Sequence, residues 1–344
     1  MRHLTTVIAI IVAITTAFSA TASSALACAG LIGSNGSVNL GRTTTLAAYH
    51  DGVEHYVTAF QFLGGGGQFG TLIPLPGVPT SVERGGSWTL QRLKRETEPL
   101  REARFLAAPA AAGATDSVQI LLETRVDALD ITVLQGGPRA VAAWATEHGF
   151  RLSPEAPQML DFYATRSPIF LAAVFDADAA AARGQQIGDG TPVQITIPTT
   201  NPWVPLRILT LGKQANDRVE ADVYLLTDIK PAFLPEPSAG MSLVHDAAAR
   251  DTLLNDLRSD DKMEWIPQAG WLTKLRIDSK ASDLSFDLAV DASGQGAPSR
   301  LAAGLSPGHR TLLFQSFGGP AALGLLLVLA LPAAVAARRR VWSR

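Results

Sequence analysis

Glu123, Asp127 and Asp130 lie close together in the chain. Two carboxyls flanking one bond can hydrolyse a glycoside, one as general acid and the other as base or nucleophile. An envelope hydrolase would use these three residues. The same acids also suit a turn between two strands, and that is the preferred reading. Asp176-Ala177-Asp178 and Asp260-Asp261 lack the Asx-Gly continuation of a calcium loop. His50, His55, His148, His245 and His309 form neither H-x-x-x-H nor H-E-x-x-H. A solvated surface place is expected for each, and no metal ligand is assigned.

Gly65-Gly66-Gly67-Gln68-Phe69-Gly70 spells G-x-G-x-x-G. That motif holds a pyrophosphate only when a helix N-terminus follows it. Here Thr71-Leu72-Ile73-Pro74-Leu75-Pro76 follows, so a glycine-rich hairpin loop is the better reading and no cofactor is expected. No serine or cysteine nucleophile is assigned. Trp88, Trp144, Trp203, Trp265 and Trp271 could stack on sugars, but core packing is the commoner role of tryptophan.

The elements that would position these residues read as α+β, with β predominating. Strands are expected over 43–50 and 55–63, joined by the hairpin signal Asp51-Gly52, and over 71–75. A charged helix over 88–104 breaks at Pro99. An Ala/Pro/Gly-rich stretch over 107–115 suits a linker. Strands follow over 118–123 and 129–134. Pro138 opens a helix that Gly149 closes, with Val141, Trp144, Ala145 and His148 on one face. A short helix over 153–164 comes next, then strands over 169–175, 193–198, 206–211 and 219–226. The Pro-rich 229–240 segment suits a hinge. A helix is expected over 243–258, and strands over 271–277 and 284–290. Neither βαβ alternation nor an internal repeat is present.

The two ends carry different information. Residues 1–27 read as a secretory signal: Arg2, an uncharged apolar run, then Ala25-Leu26-Ala27. Signal peptidase needs small side chains at its −3 and −1 pockets, which Ala25 and Ala27 supply, leaving Cys28 first. A lipoprotein also starts at Cys, but Leu26 stands one position late for the usual box. Cys28 is the single cysteine, so no intramolecular disulfide can form. Residues 317–337 are uncharged and long enough to cross a bilayer as a helix. Arg338, Arg339 and Arg340 follow, with Arg344 beyond, and hold that end in the cytoplasm by the positive-inside rule. Gly318-Gly319-Pro320 ahead of the run also fits a cleaved sorting tail, which ranks second to a permanent anchor.

The whole chain has 29 Lys+Arg, 31 Asp+Glu and 17% charged residues, with a mean hydropathy of +0.16. Charge this sparse excludes a disordered chain. Arg2 and the four terminal arginines lie outside the region 28–316, which is left with a net charge of −7. That argues against nucleic-acid binding by bulk charge.

Several motifs in order suggest kinship. The signal ends in Ala-Cys, and a hairpin around Asp51-Gly52 leads to Ile73-Pro74-Leu75-Pro76. Leu129-Asp130-Ile131-Thr132-Val133-Leu134 then precedes Ala143-Trp144 and His148-Gly149-Phe150. Leu160-Asp161-Phe162-Tyr163, Pro205-Leu206-Arg207-Ile208 and Val223-Tyr224-Leu225-Leu226 complete the series. Over roughly 28–290 the chain resembles the bacterial envelope proteins grouped as DUF2330. Members often carry further cysteines near the mature start, where this chain has Gly33 and Ser34. The resemblance implies an envelope protein and supplies no activity, cofactor or catalytic residue.

The expected organisation is therefore a signal over 1–27 and an extracellular α+β domain over 28–290, with subdivision near 107–115 and 229–240. A stalk over 291–316, a transmembrane helix over 317–337 and a cytoplasmic tail over 338–344 follow. The expected function is a non-enzymatic binding or scaffolding module at the cell membrane. Its partners would be the bilayer and an envelope protein or glycan. The alternative is a hydrolase using the carboxylates above.

Overall fold

The computed structural model describes residues 25–26, 30–33, 42–61, 69–98, 119–184 and 190–305. The signal run before Ala25, Cys28, most of the glycine-rich loop, the 107–115 linker, His309 and the expected transmembrane helix with its arginines lie outside the described residues. Among the described residues no helix is long and apolar enough to cross a membrane.

Sixteen strands are described: β1 Ala25–Leu26, β2 Gly30–Gly33, β3 Arg42–His50, β4 Val53–Gln61, β5 Phe69–Pro74, β6 Ser81–Arg84, β7 Gln119–Val126 and β8 Leu129–Gln135. The rest are β9 Ile169–Phe175, β10 Gly190–Pro198, β11 Trp203–Val204, β12 Arg218–Thr227, β13 Ala232–Leu234, β14 Met241–Ala248, β15 Trp271–Lys280 and β16 Leu288–Asp291. The helices are α1 Thr89–Thr97, α2 Pro138–Glu147, α3 Ala156–Ala164, α4 Ala177–Ala182 and α5 Asp251–Arg258. The expected α+β class, rich in β, is what the chain adopts.

The largest sheet runs β14-β15-β12-β3-β4-β10-β6, with β1 beside β3. Its β12–β3 and β1–β3 contacts are parallel and the others antiparallel. A five-stranded sheet runs β2-β5-β9-β8-β7, and a small one β11-β16-β13. Alternation along the strands decides what each face meets. Ala47, Tyr56, Ile195, Val223 and Leu225 of the large sheet share one core with Ile73, Ile131, Val133 and Leu171 of the five-stranded sheet. Their neighbours Leu46, Ala48, Val57, Tyr224 and Leu226 face the other way, against Leu93 of α1 and Leu253, Leu254 and Leu257 of α5. Burial on both faces explains why Val223-Tyr224-Leu225-Leu226 is unbroken apolar sequence rather than alternating.

The β3–β4 hairpin turns as the Asp51-Gly52 signal predicts. Both residues have positive φ, 48° and 78°, as a two-residue type I′ turn requires. Pro138 stands at the first turn of α2, and Gly149 follows its end at φ 75°.

Three expectations fail for one reason, which is long-range pairing. Residues 206–211 are not a strand; Arg207–Thr210 is a 3-10 turn, because distant side chains accept its first amide protons. The expected helix over 243–258 is strand β14 up to Ala248 and helix only from Asp251. The Ala-rich sequence favours helix, but the open edge of β15 supplies a full ladder of partners. The 229–240 segment contributes β13 to the small sheet. The described part of the expected stalk also folds back. Ala302 and Ala303 are buried, and the Asp287 amide donates to the Ala303 carbonyl at 3.0 Å.

Candidate functional site

The acids singled out in the sequence surround the β7–β8 hairpin. Asp127 is at its turn with φ 53°, and its carboxylate accepts from Arg84 Nε at 3.1 Å. Asp130 pairs with Arg125 at 3.2 Å, and Arg125 also bonds Asp176. Glu123 lies on β7 opposite Thr132. These are the strand-and-turn places expected of them. The pairing with arginine ties Asp127 and Asp130 to the surface rather than aiming them at a shared bond.

The histidines do not share one environment. His50 Nδ1 lies 2.5 Å from Asp228 and Nε2 lies 3.2 Å from Asp51, forming an exposed ion-paired turn. His148 stacks on Trp144. His245 lies on β14, not on a helix. His55 departs most from a solvated place. Its ring stacks on Trp265 with centroids 3.9 Å apart, and its buried Nδ1 has no hydrogen-bond partner. Burial, then the nearby His50, lowers its pKa to about 4.

Two spellings of nucleophile motifs do occur in the chain. In Ser259-Asp260-Asp261-Lys262 the serine hydroxyl donates to the Asp256 carbonyl at 2.7 Å, and Lys262 pairs with Glu83 at 3.9 Å. In Gly304-Leu305-Ser306-Pro307-Gly308 the serine lies outside the described residues.

Asp260 holds the start of α1 from across the fold. Its carboxylate accepts from the Ser87 and Trp88 amides at 3.0 and 2.9 Å and from the Thr89 hydroxyl at 2.8 Å. It does the work of an N-cap, which the local sequence does not supply. Gly86 is required there, because an added Cβ would lie 2.4 Å from an Asp260 oxygen. At the other end of α1, Glu98 accepts from buried Lys274 and from Arg276, both at 2.5 Å.

A dense polar cluster centres on Asp287, a fully buried acid. One oxygen accepts from the Tyr163 hydroxyl at 2.9 Å and from the Leu206 and Arg207 amides at 2.8 and 2.9 Å. The other accepts from Arg166 at 2.6 Å. Arg166 also donates to the Ala302 carbonyl at 2.6 Å and lies 4.8 Å from the Trp203 ring centre. Trp203 stacks on Tyr163 at 5.7 Å. Burial pushes the Asp287 carboxyl up, and Arg166 and the amides pull it back. This set of donors is arranged for a carboxylate anion.

A cleft of about 570 Å³ opens beside this cluster. The 198–203 loop and the 299–302 turn line it, with Gly52, Pro76 and Arg166. Among the described residues its one charged lining residue, Arg166, is already engaged by Asp287. The surface left for a ligand is proline, leucine and tryptophan with the uncharged Thr199, Thr200, Asn201 and Ser299.

Glu54 belongs to the same end of the fold. It is fully buried on β4, opposite Tyr49 of β3. Neither carboxyl oxygen has a hydrogen-bond partner among the described residues. Burial raises its pKa to about 8, and the Trp203 backbone opposes the rise.

Sequence reasoning did not single out Glu54, Tyr163, Arg166 or Asp287. Period-two alternation carries a signal for Glu54, which shares a face with Tyr56 and Thr58 and so must point inward. Asp287 carries no such signal, because alternation with Phe286 and Leu288 would turn it outward.

No curated protein matches the chain. Among solved structures, baculovirus P35 is 12% identical, over 72% of this chain and 96% of that one, with a TM-score of 0.38. A mutated baculovirus P35 after caspase cleavage is 10% identical, over 73% and 100%, with the same TM-score. A likeness at that level establishes neither a common fold nor a common role. A family model matches residues 22–232, starting before and ending short of the 28–290 span expected from the motifs. The chain belongs to DUF2330, described as an uncharacterized protein conserved in bacteria.

Proposed function

We propose that the protein is a binding or scaffolding module of the bacterial cell envelope. Its folded domain lies outside, and residues 317–337 cross the membrane ahead of Arg338, Arg339 and Arg340. The observation that carries the binding reading is the cleft between the 198–203 loop and the 299–302 turn. Apart from Arg166, which Asp287 engages, its described lining is apolar and uncharged polar, which suits an uncharged glycan or the backbone of a partner protein. Asp127 and Asp130, the acids a hydrolase would need, are paired with arginine on another part of the surface.

Photo-cross-linking in intact cells tests this. A photoreactive residue at Thr200 or Leu301 should capture a discrete envelope component, and one at Glu123 should not. Equal capture from Glu123, or none from Thr200 and Leu301, overturns the cleft as the binding surface. Protease added to intact cells should remove the domain; full protection would sink its outside placement.

A further inference from the structure

Glu54 lies under the roots of the loop that lines the cleft. Pro198, at the loop's start, pairs with Val53, the residue before Glu54. Trp203, at the loop's end, has its backbone next to the Glu54 carboxyl. Three further hydrogen bonds fasten the loop. The Thr199 amide donates to the Gly52 carbonyl at 3.0 Å, the Tyr49 hydroxyl to the Thr199 carbonyl at 3.0 Å, and the Val290 amide to the Pro202 carbonyl at 3.0 Å. The loop is thus a cover pinned at both edges, over a carboxyl group that makes no well-formed hydrogen bond with the described residues.

We propose that Glu54 is an acid–base latch for this cover: with its proton it seats the 199–203 loop, and without it the loop is released. A buried carboxylate with no partner costs several kcal/mol, and water or a rearrangement must relieve that cost. Among the described residues, only the Trp203 backbone favours its charged form. Tyr49 faces it across the β3–β4 pair, and Asp291 of β16 acts on Tyr49; neither can carry positive charge. Asp291 already accepts from Ser293 and Ala297. The way out for an ionised Glu54 is therefore toward Trp203 and the cleft. The latch rests on the cleft reading only for its consequence, which is that alkaline pH would open the binding surface.

The test is amide hydrogen exchange of the full-length chain in detergent, read on peptides covering 198–206 and corrected for intrinsic rates. Protection there should fall by up to about tenfold per pH unit as pH rises from about 4.5 to 8, where opening releases one proton, and level off above pH 8, where the closed state has lost it too. E54Q, which keeps the shape of the neutral acid, should hold protection constant over the same range. E54L, which has no proton to lose, should do the same and serves if E54Q fails to fold. A pH-independent wild type, or an equal fall in either variant, overturns the latch. Cross-linking from Thr200 could fail while this exchange pattern stands, so the two readings are separable.

Discussion

Two fully buried carboxyls in the neighbourhood of Trp203 are treated in opposite ways. Asp287 receives two backbone amides, a tyrosine hydroxyl and an arginine. Glu54 makes no well-formed hydrogen bond with the described residues, and only the Trp203 backbone favours its charged form. Burial is the same for both, so burial alone does not decide what a buried acid does. The donors around it decide whether it serves as a structural anion or as a neutral acid that resists ionisation. The Asp287 region ties α3, the Arg207–Thr210 turn, β16 and the 299–304 turn into one unit. The Glu54 region leaves its cover dependent on a proton.

Removing the satisfied acid should produce the largest effect. D287N sets an amide N–H2 against donors and leaves Arg166 buried and unpaired. It should cost about 3–5 kcal/mol in urea unfolding, the range for breaking a buried pair. D287N combined with R166M should cost less than the two single changes summed, and simple additivity would dissolve the pair.

Removing the unsatisfied acid should have the opposite sign. The folded pKa of Glu54 is raised to about 8, above the unfolded value. Stability is then full below the unfolded pKa and falls as pH rises from about 4.5 to 8, at up to about 1.4 kcal/mol per pH unit. E54Q should remove that slope and be the more stable protein at pH 8. A stability profile of E54Q that still tracks wild type would place the alkaline loss elsewhere.

Asp260 offers an intermediate case, an acid satisfied by amides and a hydroxyl but without a cation among the described residues. D260A should destabilise by about 1–2 kcal/mol, with the loss of exchange protection concentrated in the first turn of α1. Uniform loss over the whole chain would argue against a cap.

His55 tests the other face of β4. Its folded pKa is lowered to about 4, so the neutral ring stabilises at neutral pH. That contribution is lost as pH falls from about 6.5 toward 4. The ring is partly exposed, so the loss should stay under about 1 kcal/mol after solvent screening. H55F should flatten the acid limb and leave the Glu54 slope in place. Smallest of all, R125A should change stability by less than about 1 kcal/mol, because its partners Asp130 and Asp176 are solvated.

Much of the fold was legible because its signals are local. Asp51-Gly52 named its own turn, Pro138 and Gly149 bracketed their helix, and Ile169 to Phe175 was a strand to the residue. The errors cluster where a distant group supplies the partner. Arg207–Thr210 turns because Asp287 and Tyr163 accept its amide protons, and Met241–Ala248 extends because β15 offers an edge. The resemblance to DUF2330 survived because ordered motifs need no contacts to be recognised.

The sequence by itself determined the class, the family, the strand faces and the turns, since each depends on residues a few positions apart. Tertiary structure alone decided which acids matter. Glu123, Asp127 and Asp130 look like chemistry in sequence, and arginines on neighbouring elements hold two of them at the surface. Glu54 and Asp287 look like ordinary strand acids until long-range packing removes water from both. Whether a donor then replaces that water depends on loops far away in the chain. Local pattern records which way a side chain points, and only the assembled fold determines what it meets there.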